Sequence, residues 1–154
     1  MLTKTSINAI QALVYIAQRD GAGPVSPVEI AEQLGASPSY LGKINTQLVK
    51  ANVLQAHRGI KGGVTLARPP EAIRLLDIVE ACQGKILGDY CTPYDNLAEV
   101  CGFHEAMFRL QEAIVTTLSG WTLRSLLDRP LPAKKLQGKV ACRIGCALPK
   151  TAQD

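Results

Sequence analysis

No stretch of this chain approaches the ~18 consecutive apolar residues of a membrane span, so the sequence reading excludes one. The start, "MLTKTSINAI", lacks a basic segment leading into an apolar run, which predicts no secretory signal and a cytoplasmic protein. There is no internal repeat, no low-complexity tract and no Walker-type G-x-x-x-x-G-K-S/T. Cysteines number five, an odd count that argues against a disulfide framework and for reduced thiols or ligands. Acidic residues are scarce at one end: residues 1–70 hold three, against seven Lys/Arg. Residues 71–128 reverse this, with nine acids against four bases, and residues 129–154 carry six bases and one acid. That asymmetry, more than the net charge of +4, suggests a polyanion-binding head on a separate body.

What is present suffices to fold. With 154 residues, 47% hydrophobic and 19% charged, the chain can bury a core as one domain, or as a small domain with an appendage. Ile7, Ile10, Leu13, Val14 and Ala17 recur at helical spacing and predict a helix over 3–19. Ser26-Pro27-Val28-Glu29 reads as an N-cap, a proline at the first helical position and a capping acid, starting a short helix that ends at Leu34. Gly35-Ala36 makes a turn, Ser37-Pro38 repeats the start, and a second helix runs to about Lys50. Two capped helices joined by a glycine turn make a helix-turn-helix.

On the second helix, Leu41, Ile44 and Leu48 are expected to face inward. The opposite face carries Ser39, Gly42, Lys43, Thr46 and Lys50, flanked by Gln47, with no acid. Such a face can donate hydrogen bonds to phosphates and base edges in a major groove. Two strand-like runs follow, "NVLQAH" (52–57) and "GVTLA" (63–67), joined by "RGIKGG" with Arg58 and Lys61 at its tip. A basic, glycine-rich hairpin can lie on a phosphate backbone or enter a minor groove. The fold expected is therefore mainly α with a small β wing: a winged helix-turn-helix over residues 1–70 whose partner is double-stranded DNA.

Beyond Pro69-Pro70, Leu75, Leu76, Ile78, Val79 and Cys82 predict an amphipathic helix ending at Gly84. A long helix is expected from about Asn96 to Leu118, with Leu97, Val100, Met107, Leu110, Ile114 and Leu118 on one stripe. A small head cannot cover such a stripe, so a second copy of the chain is its expected cover. Residues 71–128 thus read as linker helix, sensor loop and dimerisation helix, and residues 129–154 as a basic, partly disordered tail. Cys91, Cys101 and His104 are the notable side chains here, Cys101 and His104 being placed one helical turn apart. The residues alone leave three readings open: interface packing, a metal site, and a disulfide switch between Cys91 and Cys101. A Cys/His nucleophile pair would need a pocket that nothing around it supplies, so no enzyme is expected. Cys82 reads as core, Cys142 and Cys146 as a CxxxC pair of weak specificity, and His57 as a strand residue or phosphate contact.

The stretches "LTKTSINAIQALVYIA", "VSPVEIAEQLGASPSYLGKINTQLVKANVLQAHRGIKGGVTLARPPEAIRLLDIVEACQG" and the downstream Cys/His segment resemble the Rrf-type winged-helix transcription regulators, the IscR/NsrR/CymR-like family, over residues 2–120. The resemblance implies a homodimer, operator binding through recognition helix and wing with Arg58 at the wing-arginine position, and usually repression. It further implies a sensor of redox state, iron–sulfur status or nitric oxide. Cys91 and Cys101 match the first and third cysteines that hold an iron–sulfur cluster in sensing members, and His104 matches the family histidine. The resemblance implies a 2Fe–2S or 4Fe–4S cluster, and the 2Fe–2S type is the cofactor expected here. The middle cysteine is absent, and Asn8 stands where the family has an acid. The three ligands are one short, with Asn8, Cys82, Cys142, Cys146 or a partner chain as candidates for the fourth. The alternative is a cofactor-free regulator controlled by a thiol switch or a protein partner.

Overall fold

The computed structural model describes residues 2–19, 21–60, 62–86, 96–137 and 139–145. Helix α1, Lys4–Gln18, is the axis of the domain. Thr3 caps it, its hydroxyl accepting from the Ser6 N–H at 3.1 Å, and nine of its residues are buried. The run from Ala9 to Ile16 is covered on every side, as expected of a helix that is apolar nearly all round.

Helices α2 (Pro27–Leu34) and α3 (Pro38–Lys50) form where the serine-proline starts predict. Ser26 accepts from Glu29 N–H at 3.1 Å and Ser37 from Tyr40 N–H at 3.3 Å, each satisfying a donor that a helix start leaves unpaired. Gly35 ends α2 in the left-handed region, at φ 63°, where a side chain would be strained. Strands β1 (Leu54–His57) and β2 (Gly63–Leu66) pair antiparallel, Leu54 opposite Leu66 and His57 opposite Gly63. Val25 forms a single bridge to Val64, tying the wing to the entry of α2.

After a 3-10 turn at Pro70–Ala72 comes α4, Leu75–Gln83, packed on α1 and α3. Its start is fixed by Asp77, which accepts from the Arg74 backbone N–H and side chain and from Arg68. Its end is fixed by Gln83, whose side-chain oxygen accepts from Thr3 N–H at 3.1 Å and the Ser6 hydroxyl at 2.8 Å.

Helix α5 spans Gly102–Gly120, starting later than the expected Asn96. The reason is local. The Asn96 side chain accepts from Ala98 N–H and donates to Glu99, and its carbonyl accepts from Glu99 N–H, so the chain closes a turn before it can helix. Leu97 and Val100 therefore lie ahead of α5 rather than on its stripe.

The chain then returns to the domain. Leu75 N–H donates to Trp121 at 2.9 Å and Leu123 N–H donates to Ile73 at 2.8 Å, a short two-strand bridge between distant segments. Helix α6, Leu123–Leu127, follows and packs on α1 with Leu123 fully buried. The core accordingly does not stop near residue 70: Ile73, Ile78, Val79 and Leu123 share one cluster with Leu13, Ile30, Leu41 and Val53. The described part of the tail is docked as well, Leu131 and Ile144 lying against that cluster and Gln11 Nε2 donating to the Arg143 carbonyl.

Candidate nucleic-acid interface and thiol site

Helix α3 divides as its pattern requires. Leu41, Ile44 and Leu48 are buried at 0%, 1% and 0% exposure, while Ser39, Lys43, Thr46, Gln47 and Lys50 are all exposed. The Thr46 hydroxyl donates back to the Gly42 carbonyl at 2.9 Å, which leaves an oxygen lone pair facing outward. Neither lysine enters an ion pair among the described residues; every pair there is made by an arginine, at Arg19, Arg68, Arg74, Arg109 or Arg124. Two cations on one acid-free face, without intramolecular partners, are available to a polyanion. Asn45 was not foreseen. It is buried between the inward leucines with neither amide atom hydrogen-bonded among the described residues, a burden of about 1–3 kcal/mol.

The wing packs against α3 through β1. Arg58 is exposed at the end of β1, Gly62 N–H donates to the Gly59 carbonyl at 2.9 Å to close the turn, and Lys61 lies outside the described residues. His57 Nε2 sits 2.8 Å from the Thr65 hydroxyl across the hairpin, so its ring serves the wing's own structure. Between the end of α3 and α4, a cleft of about 410 Å³ is lined by Asn52, Arg68, Arg74, Asp77 and Glu80 among others. Arg68 and Arg74 both pair with Asp77 there. Arg68 donates to the Asn52 and Ala72 carbonyls and pairs with Asp77, locking the end of α3 to the start of α4. Burial pushes the Asp77 carboxyl up, but the Arg74 hydrogen bonds and the charges of Arg74 and Arg68 outweigh it and hold the group below its ordinary value.

The thiols are dispersed. Cys101 is the N-cap of α5, extended and exposed, not a helical residue as the spacing predicts; His104, in the first turn, is half-buried. Cys91 and Cys146 lie outside the described residues. Among the described residues, no group of three His, Cys, Asp or Glu side chains is placed to hold a metal ion. Cys82 is packed against the core, and burial pushes its thiol up to about 11, so it keeps its proton at neutral pH. Cys142 accepts from Gly145 N–H at 3.3 Å in a turn of the docked tail.

Two capped helices, an acid-free outward face on the second and a two-stranded wing beside it define a winged-helix, DNA-binding transcription regulator. The family follows from the sequence. The model of the Rrf2 family, described as iron-dependent transcriptional regulators, matches residues 2–129, and the chain belongs to that family. The solved structure of CymR, the global cysteine regulator of B. subtilis, is similar at 26% identity and a TM-score of 0.68, over 83% of this chain and 96% of that one. IscR of T. potens is similar at 26% identity and a TM-score of 0.66, over 89% of this chain and 96% of that one. CymR of Staphylococcus aureus, 24% identical with a TM-score of 0.67, shares the fold over 85% of this chain and all of that one. The chain is a regulator rather than an enzyme, as the sequence predicts. Among the described residues, no helix is long and apolar enough to cross a membrane.

Proposed function

We propose that this chain is a homodimeric, sequence-specific repressor whose DNA affinity is set by a Cys/His sensory site. The observation that supports docking is the acid-free face of α3 with unpaired Lys43 and Lys50, set beside exposed Arg58. Ser39, Lys43, Thr46 and Lys50 address the major groove and its phosphates; Arg58 and Lys61 address the backbone or minor groove beside it. Dimerisation rests on α5, which has no buried residue and leaves Phe103, Leu110 and part of Ile114 uncovered. Two heads held at a fixed distance read two half-sites, so anything that shifts the base of α5 changes whether both can dock.

The sensory site is Cys91, Cys101 and His104. In type, its donors fit an iron–sulfur cluster: thiolates with an imidazole, and a Cys101 side chain exposed rather than spent in the core. In number they are three, so a fourth ligand must come from elsewhere. When bound, a cluster supplies redox sensitivity; the chain's part is to link Cys91, which follows α4 in sequence, to the start of α5. Similarity to CymR favours a second reading, a cofactor-free regulator answering a thiol switch or a protein partner. Absorbance of the anaerobically purified protein separates the two. Visible iron–sulfur bands, lost in Cys101→Ala and His104→Ala, are expected; a colourless, iron-free protein with unchanged DNA binding would leave the second reading. For docking, Arg58→Ala should weaken operator binding by about 1–3 kcal/mol, and affinity should fall steeply with salt. Unchanged binding in Arg58→Ala combined with Lys43→Ala would remove this docking model.

A further inference from the structure

Ile60 stands at the tip of the wing and touches nothing. It is 108% exposed; the next most exposed large apolar side chain among the described residues, Phe103, is at 58%. A lone half-covered apolar residue on a protein surface is ordinary, but one held wholly in water at the end of a hairpin is not.

The turn beneath it is built to hold it there. Gly59 has φ 109°, a conformation that L side chains rarely adopt, and Gly62 N–H closes the turn onto the Gly59 carbonyl at 2.9 Å. A side chain at position 62 would collide with the His57 and Gly59 carbonyls, at 2.6 and 2.8 Å from its Cβ. The stiff, β-branched Ile60 thus follows Gly59 and precedes the turn-closing Gly62 by two residues, with exposed Arg58 two residues before it. A minor groove is about 6 Å wide, and there cations meet the phosphates while apolar side chains lever base steps apart.

We propose that Ile60 is a minor-groove wedge, inserting at a flexible pyrimidine–purine step while Arg58 holds the adjoining phosphates. This rests on the DNA-binding reading above and goes beyond it: specificity arises partly from how easily the DNA beneath the wing unstacks, at base pairs whose edges the protein never hydrogen-bonds. Burying the isoleucine in the opened step returns part of the unstacking cost. It also gives the exposed side chain an environment that the free protein denies it.

The test uses the full chain and 30-base-pair duplexes that it selects from a randomised pool. These carry 2-aminopurine in turn at each pyrimidine–purine step and a fluorophore pair at their ends. The parent protein should raise the 2-aminopurine signal at one step per half-site and shorten the end-to-end distance. Ile60→Ala should abolish both changes and bind about tenfold more weakly with the same dependence on salt, while Ile60→Met keeps them. Arg58→Ala, by contrast, should flatten the salt dependence. If Ile60→Ala binds, unstacks and bends the duplex as the parent does, the wedge is wrong while the DNA-binding reading stands. If the parent selects no duplex at all, both fall.

Discussion

Helices α1 and α5 differ by four residues in length and far more in how much of each is covered. Nine of the fifteen residues of α1 are buried, and none of the nineteen of α5. Both are rich in apolar residues, so composition does not explain the difference; arrangement does. In α1 the apolar residues run nearly all round, and α2, α3, α4, α6 and the wing close over them. In α5, Phe103, Met107, Leu110 and Ile114 follow the alternating three- and four-residue spacing of a helix–helix seam. One helix is completed by its own chain; the other leaves an apolar stripe exposed, which the proposed dimer would cover.

This contrast can be broken most forcefully in α1. Leu13→Ala, at a fully buried position, should cost about 2–5 kcal/mol and lower the melting temperature to the same extent at every protein concentration. Ile114→Asp should act on association instead. It should weaken self-assembly by about 2–4 kcal/mol, read by sedimentation, while circular dichroism keeps the helical head intact. Loss of the fold rather than of the dimer would mean that α5 belongs to the core after all.

A smaller effect sharpens the contrast from the head's side. Asp77→Asn removes the carboxylate that joins Arg68 and Arg74 and should cost about 1–2 kcal/mol at neutral pH. Because the folded carboxyl lies below its ordinary value, its contribution is fully present above the unfolded pKa, near 4, and is lost as pH falls through the folded value. Acid titration of stability should therefore be shallower below about pH 4 in the variant than in the parent. Equal slopes would show that the Arg–Asp cluster is solvent-screened and contributes little.

What could be read from the sequence was local. Ser26-Pro27, Gly35 and Ser37-Pro38 fix their helix ends through contacts within four residues, and all three structures form where they are expected. The inward and outward faces of α3 follow from helical spacing alone. What escaped depends on contacts far apart in sequence. The bridge between Ile73–Leu75 and Trp121–Leu123 that seats α6 links segments nearly fifty residues apart, and no periodicity announces it. The Gln11–Arg143 bond docks the tail across an even greater separation. The late start of α5 was a competition: apolar spacing from Leu97 onward favours a helix, and the Asn96 turn overrides it. At the candidate sites, Ser39, Lys43, Thr46, Lys50 and Arg58 are exposed. Cys101 is moved from helix to cap, and Lys61 and Cys91 lie outside the described residues.

On this reading α5 makes the chain a dimer, and the dimer is what reads DNA. Sedimentation equilibrium of the parent and of Ile114→Asp, alone and with a duplex selected by the parent, tests it most directly. The expected result is a free parent of twice the 16.5 kDa chain mass, two chains on each duplex, and an Ile114→Asp monomer that no longer holds the duplex at the same concentration. A folded parent monomer of 16.5 kDa that binds the duplex one chain at a time, unaffected by Ile114→Asp, would contradict it.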